Sequence, residues 1–121
     1  MELSNNELLI LNFLWDQNEP QGFSNILSNY NSTTNKNWKK QTMHTYLTRL
    51  VKLDVIGIDD SKRRLRYYPK MTRDEYYQTM ASDLIKESFN GSLSLFISAF
   101  TGRNKISNME KQQLLDYLKE L

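Results

Sequence analysis

The change of hydrophobic periodicity along the chain most constrains how it can fold. Up to residue 54, apolar residues recur every three or four positions, which is the spacing of amphipathic helices. Residues 55–58 are instead short and β-branched, and residues 63–69 alternate, with a turn-like composition at 59–62 between them. Helical spacing returns after Pro69 and continues to residue 121. The predicted order is therefore three helices, a β-hairpin and further helices.

Three helices are predicted before the hairpin. Ser4 and Glu7 form the S-x-x-E capping pattern at the start of the first helix, and the second helix follows Gly22. A polar loop is expected over residues 31–37, and the third helix over residues 39–54. The inner apolar stripe of the third helix consists of Met43, Leu47, Leu50 and Val51.

The net charge of +2 hides an uneven distribution of charged residues. Residues 1–35 contain four acids and no Lys or Arg, and therefore carry −4. Residues 36–70 contain ten bases and three acids and carry +7, whereas residues 71–121 contain six bases and seven acids and carry −1. Positive charge concentrated in one segment favours contact with a polyanion, and a solvated basic face without a partner is the alternative.

The composition excludes several classes of function. The chain has no cysteine and a single histidine, His44, so we expect neither disulfides nor a metal or other cofactor. Neither a nucleophile–base pair nor a glycine-rich phosphate loop is visible, so an enzyme is not expected. No apolar run is long enough to span a membrane, and the N-terminal residues lack the apolar core of a signal peptide. We therefore expect a cytoplasmic protein without membrane insertion.

The predicted fold is mainly α with a small β-hairpin, which is the element order of a winged helix-turn-helix DNA-binding domain followed by a helical region. The third helix would be the recognition helix, since its outer side chains offer donors and acceptors with few acids. Arg64 and Arg66 should point the same way from the wing, towards a phosphate backbone or a narrow minor groove. The candidate DNA-binding residues are Lys40, Gln41, Thr42, His44, Thr45, Arg49, Arg64 and Arg66.

The C-terminal helices are expected to need a partner. Capping patterns occur at Thr72 with Glu75 and at Ser107 with Glu110. Three short amphipathic helices cannot fully bury their apolar stripes against one another, so a second copy is the expected cover. The residues assigned to this interface are Leu84, Phe89, Leu93, Phe96, Phe100, Leu114 and Leu118.

Two segments resemble motifs of a known family. Residues 3–15 (LSNNELLILNFLW) resemble the pattern I-S-x-x-E-W-x-V-M-x-x-x-W, with Leu8 in place of the first Trp. Residues 42–53 (TMHTYLTRLVKL) resemble T-[VI]-x-T-x-[LI]-x-R-L-x-K-K, with Leu53 in place of the second Lys. Both patterns are those of the penicillinase-repressor family of bacterial winged-helix regulators, and the likeness extends over nearly the whole chain.

The resemblance implies a homodimeric transcriptional repressor that binds a palindromic promoter operator and is released by an unidentified signal. Residues 1–70 would bind DNA and residues 71–121 would form the dimerisation region. In one branch of the family, a membrane sensor-protease system triggers cleavage before a Phe, which corresponds here to the Ala99–Phe100 bond, although the family usually has Asn at the first position. The copper-responsive branch uses a Cys-rich motif that this chain lacks. The alternative is a winged-helix module that binds another protein and whose basic face is incidental.

Overall fold

A computed structural model describes residues 2–121. The chain is mainly helical with a small antiparallel sheet, which confirms the predicted winged helix-turn-helix with a C-terminal helical region. It divides into two compact units, one extending to Met80 and one from Ala81 to Leu121. The domain boundary expected after residue 70 stays a prediction. The elements are α1 (Asn5–Trp15), β1 (Gln21–Gly22), α2 (Phe23–Thr34), α3 (Lys40–Lys52), β2 (Ile56–Asp59), β3 (Arg66–Pro69), α4 (Arg73–Ser88), α5 (Leu93–Thr101) and α6 (Asn108–Lys119).

The first unit has a closely packed core. The inner side of α3 supplies Met43, Leu47 and Leu50, each fully buried, as its apolar stripe predicts, while Val51 is half-buried. Removing such a side chain from water contributes about 1.5–3 kcal/mol of transfer free energy. The remaining core residues lie in or directly before α1, α2, α4 and the strands, and are Leu3, Ile10, Leu11, Leu14, Ile26, Tyr30, Val55, Ile56, Tyr67 and Tyr76.

The start of α1 has the predicted capping box. The Glu7 N–H donates to Ser4 Oγ at 3.2 Å, and the Ser4 N–H donates to Glu7 Oε1 at 2.9 Å. These two bonds satisfy donors that a helix start otherwise leaves without partners. They also hold the Glu7 side chain in one position at the N-terminal end of the helix.

The sheet has three strands in the order β1-β3-β2, all antiparallel. The sequence did not indicate β1, because two residues are too few to show a strand periodicity. The second strand of the hairpin begins at Arg66 and not at residue 63, so residues 60–65 form the tip of the wing. The turn follows Asp59, whose carboxylate accepts from the Ser61 N–H at 2.9 Å.

The segment between α2 and α3 differs from the prediction. The helix continues through residues 31–34 and ends at Thr34, and the following residue, Asn35, adopts a left-handed conformation with φ of 60°. The Asn31 side chain accepts from the Trp38 N–H at 2.9 Å and donates to the Trp38 carbonyl at 3.1 Å. A loop was predicted because these residues are polar, but the bonds of Asn31 show that a polar residue here has a structural role within the helix.

The third helix ends at Lys52, two residues before the predicted end, and Asp54 after it has a φ of 63°.

The second unit contains the end of α4 together with α5 and α6. Asn90 and Gly91 both have positive φ, which ends α4 and separates it from α5. Ser92 and Ser107 accept from backbone N–H groups three residues later, each at 3.1 Å, and thereby cap α5 and α6. Within residues 93–119, all of which the structure describes, no side chain is buried.

Candidate nucleic-acid interface

The outer face of α3 brings together six of the predicted DNA-binding residues. Because the inner stripe is buried, the residues between its members face solvent. The helix contains no acid, and its bases include Lys40 and Arg49. This exposed, acid-free face can offer hydrogen-bond donors and acceptors to an anionic ligand without repelling it. Its exposed members are Lys40, Gln41, Thr42, His44, Thr45 and Arg49.

Local contacts orient two of these side chains. The Thr45 hydroxyl donates to the Gln41 carbonyl at 3.0 Å, so its oxygen remains as an acceptor and its methyl group as an apolar contact. The His44 ring lies 6.4 Å from the ring of Phe23, the first residue of α2.

Arg49 is held from one side by a buried carboxylate. Its Nε donates to Glu7 Oε2 at 2.9 Å, and the Glu7 side chain is 3% exposed whereas that of Arg49 is 64% exposed. Burial alone would raise the pKa of Glu7, but hydrogen bonds with Ser4 and the guanidinium of Arg49 outweigh burial and lower that pKa. Glu7 is therefore ionised at neutral pH.

A column of aromatic rings anchors the start of α3. The rings of Tyr30 and Trp38 stack at 3.8 Å, and those of Trp38 and Tyr46 stack at 4.6 Å between centroids. Asn6 joins the two ends, since it accepts from the Tyr30 hydroxyl at 2.8 Å and donates to the Tyr46 hydroxyl at 3.3 Å. Sequence reasoning did not find this column, because its members lie on α1, α2, α3 and the connecting loop and show no local pattern.

The two arginines predicted to bind DNA from the wing differ in their exposure and contacts. Arg64 lies in the exposed tip, whereas the Arg66 side chain is 21% exposed. The Arg66 guanidinium donates through Nη2 to Asp59 Oδ2 at 2.7 Å, directly across the hairpin, and its Nε is buried without a hydrogen-bond partner among the described residues. The cross-strand carboxylate therefore holds Arg66, while the expectation that Arg64 and Arg66 point the same way stays a prediction.

The exposed positive charge of the wing lies in its tip. Lys62 and Arg63, which were not among the candidates, are exposed beside Arg64. A depression lined by Arg64, Leu65 and the first residues of α2 lies next to them. Asp59, at the start of the turn, accepts hydrogen bonds from Ser61 and from Arg66, which lower its pKa to about 2. The run of bases in the sequence was the signal that could have added Lys62 and Arg63 to the candidate residues.

The residues assigned to dimerisation leave a large apolar surface on the second unit. Leu84, Leu93, Phe100, Leu114 and Leu118 are 39–54% exposed. Phe89 and Phe96 are half-buried and meet edge to face at 5.4 Å. Further exposed apolar residues that were not in the candidate set are Leu95, Met109, Leu115, Tyr117 and Leu121.

The suggested cleavage bond lies inside a helix. Ala99 and Phe100 are both exposed, and both belong to α5.

Among the residues the structure describes, no helix is both long and apolar enough to cross a membrane. Over the same residues, no group of three His, Cys, Asp or Glu side chains is arranged to hold a metal ion.

Comparison with known proteins supports the resemblance of the two motifs. Residues 3–120 match the family model described as penicillinase repressor. The chain is also 21% identical over 119 residues to a penicillinase repressor of Bacillus licheniformis, in an alignment that covers 98% of this chain and 91% of that protein. The members of this family are transcriptional regulators and not enzymes, which confirms two predictions: that the protein is a transcriptional repressor, and that it is not an enzyme. The chain belongs to the penicillinase repressor family, a family of DNA-binding transcriptional repressors.

Proposed function

We propose that this protein is a homodimeric repressor that binds a palindromic promoter operator and blocks the polymerase. Each copy inserts α3 into the major groove, and the basic tip of the wing contacts the adjacent backbone. Two copies related by a two-fold axis present their recognition helices about one helical turn of DNA apart, or a multiple of it. Once one copy of a dimer binds its half-site, the second copy is held close to the other half-site at a high effective concentration. The dimer therefore binds the operator more tightly than one copy does.

The acid-free outer face of α3 is the observation that carries this proposal. Gln41 and Thr45 are exposed side chains of the types that recognise base edges or a thymine methyl group. Lys40 and Arg49 are suited to phosphate contacts, which set position and not sequence. The exposed bases of the tip, Lys62, Arg63 and Arg64, extend the positive surface beyond the helix.

The apolar surface of residues 81–121 supports the homodimer. This unit exposes many large apolar side chains, and monomeric proteins rarely leave large apolar patches in contact with water. A two-fold axis would let the same patch cover itself, since such an interface is self-complementary. The patch contains the aromatic residues Phe89, Phe96 and Phe100, which are typical of stable interfaces.

Release from the operator would follow from loss of the dimer. The candidate route is cleavage of the Ala99–Phe100 bond by a membrane sensor-protease system. Since this bond lies in α5, the helix would have to open locally before a protease could act on it. A family member with Ala at this position can equally respond to a signal of another kind.

The decisive experiment is selection of genomic fragments with the purified protein, followed by binding measurements on the selected duplex. Affinity should fall on the order of a thousandfold or more between 50 and 200 mM salt if about six to ten phosphates are neutralised. Thr45→Ala and Gln41→Ala should relax preference at one base pair by about 1–3 kcal/mol, whereas Arg49→Ala should weaken all sequences about equally. Lys111→Ala, which removes a positive charge from α6, is the control and should leave the preference unchanged.

The opposite results would favour the alternative function. A protein that binds no duplex at low salt, and that instead retains a protein partner regardless of salt, would be an interaction module. Uniform losses in the Thr45, Gln41 and Arg49 variants would mean that α3 contacts the backbone and does not recognise bases.

A further inference from the structure

We propose that Glu7 is a positioning residue for DNA binding, which holds the Arg49 guanidinium by its Nε edge so that the terminal amino groups bind one phosphate. This inference rests on the proposed function, since it concerns how α3 contacts the backbone. Glu7 itself touches no nucleic acid. It acts through Arg49.

The unequal exposure of the two partners supports this role. Glu7 is 3% exposed, so its carboxylate belongs to the protein interior, whereas the Arg49 side chain is 64% exposed. The bond of 2.9 Å engages Nε, and the terminal amino groups remain as the donors for a further acceptor. Guanidinium groups bind phosphate best through paired donors in a fixed plane, and fixing the plane beforehand reduces the entropy lost on binding.

The two oxygens of Glu7 perform separate tasks. Oε1 accepts from the Ser4 N–H at 2.9 Å and completes the helix cap, while Oε2 accepts from Arg49. The cap fixes the carboxylate, and the carboxylate fixes a side chain that is 42 residues away in the sequence. The N-terminal end of α1 thereby supports a side chain of the recognition helix.

The surroundings of the pair are suited to a phosphate. An open depression of about 350 Å³ is lined by Ser4, Glu7, Thr45, Tyr46 and Arg49. It lies beside the outer face of α3, where Thr45 is exposed, and the exposed side chains that line it are uncharged or cationic. Glu7 also lines this depression, but its side chain is only 3% exposed and its Oε2 accepts from Arg49.

Glu7→Gln tests the inference because it separates the two tasks. The side-chain oxygen of glutamine can still accept from the Ser4 N–H, since Gln serves in capping boxes as Glu does. The NH₂ group that replaces Oε2 is a donor and cannot accept from Arg49. Asp16→Asn is a matched control: it removes the same charge from a carboxylate that accepts from Arg73 at 2.9 Å, at the opposite end of α1.

The measurement is binding of the full-length protein to a labelled duplex of about 30 base pairs, roughly three turns, of arbitrary sequence. A phosphate contact does not depend on sequence, so an operator is not needed. Arg49→Ala should lower the slope of log affinity against log salt by about one for each bound copy. Glu7→Gln should weaken binding by about three- to tenfold and lower the slope in the same direction, with no further effect when Arg49 is already Ala. Asp16→Asn should leave both quantities at the wild-type values or raise the affinity slightly.

Several results would overturn the inference. The first is a Glu7→Gln protein that is folded by circular dichroism but binds DNA like Asp16→Asn. The second is an effect of Glu7→Gln that adds fully to that of Arg49→Ala. Either result would mean that the bond between Glu7 and Arg49 has only a structural role. Tighter binding by Glu7→Gln would mean that Glu7 restrains Arg49. Failure of the wild-type protein to bind the duplex at low salt would overturn the proposed function as well.

A second variant keeps the test valid if Glu7→Gln does not fold. Arg49→Lys changes an exposed side chain and keeps the charge, but an ammonium lacks separate edges for a carboxylate and a phosphate. It should bind more weakly than the wild-type protein although the charge is kept, and wild-type affinity in this variant would contradict a positioning role.

Discussion

The two compact units differ in how far they bury their own apolar side chains. In the first unit, Leu47 and Leu50 of α3 are fully buried. In the second, Leu115 and Phe100 are 51% and 44% exposed, and no residue of α5 or α6 is buried. The first unit therefore has a core of its own, whereas the second leaves its apolar side chains exposed, as the proposed dimer requires.

The hydrogen bonds of side chains differ in the same way. In the first unit, Glu7 and Asn6 reach from α1 to residues of α3 and α2 that are 24–42 positions away. In the second unit, Ser92, Ser107 and Gln112 bond to residues three or four positions away on their own helices. Contacts between elements thus define the geometry of the first unit, while local capping defines the individual helices of the second.

Leu47→Ala should have the largest effect on stability. The residue is fully buried at the centre of the first unit, so the substitution leaves a cavity that costs about 2–5 kcal/mol of unfolding free energy. Chemical unfolding measures the loss. Leu65→Ala is the control, since Leu65 is 51% exposed in the wing, and should change stability by less than about 0.5 kcal/mol. Equal losses in the two variants would contradict the contrast in burial.

Leu118→Asp tests the second unit. A charge among the apolar side chains of the proposed dimer surface should leave monomers, which sedimentation would detect as half the wild-type mass. Dimerisation also links stability to concentration, so the apparent unfolding free energy of the wild type should rise by about 1.4 kcal/mol for each tenfold increase in protein concentration, and that of the variant should not. Leu65→Asp adds the same charge at an exposed position of the first unit and should remain dimeric. A wild-type protein that sediments as a monomer would refute the homodimer.

The contrast between local and distant contacts also explains what could be predicted from the sequence. The buried stripe of α3 and the capping box of Ser4 and Glu7 involve residues within one helix, and both were predicted correctly. The family and the fold class followed from the order of such elements together with two motifs. For the candidate site, the exposure of the α3 face could be predicted because it is the complement of the buried stripe.

The parts that could not be predicted depend on contacts between elements. The sequence near Arg66 does not indicate that Asp59 lies opposite Arg66 across the hairpin and accepts a hydrogen bond from its guanidinium. The bond between Glu7 and Arg49 spans 42 residues and depends on how α1 packs against α3. The continuation of α2 to Thr34 likewise accompanies the bonds of Asn31 with Trp38, which composition alone does not reveal.

Acid should affect the first unit through its hydrogen-bonded carboxylates, and this is the smallest effect that we predict. The pKa of Asp59 is about 2 in the folded protein, against 3.8 for the unperturbed group, and that of Glu7 is also lowered. The unfolded chain therefore binds more protons in this range, so the stabilisation is complete above about pH 4 and is lost as the pH falls towards 2. Urea unfolding between pH 5 and pH 2 should show this decline, and Asp59→Asn should make it shallower. An NMR titration of the Asp59 carboxyl with a midpoint near 3.8 would contradict the hydrogen bonds from Ser61 and Arg66 as the cause, and with them the assignment of Arg66 to the structure of the wing.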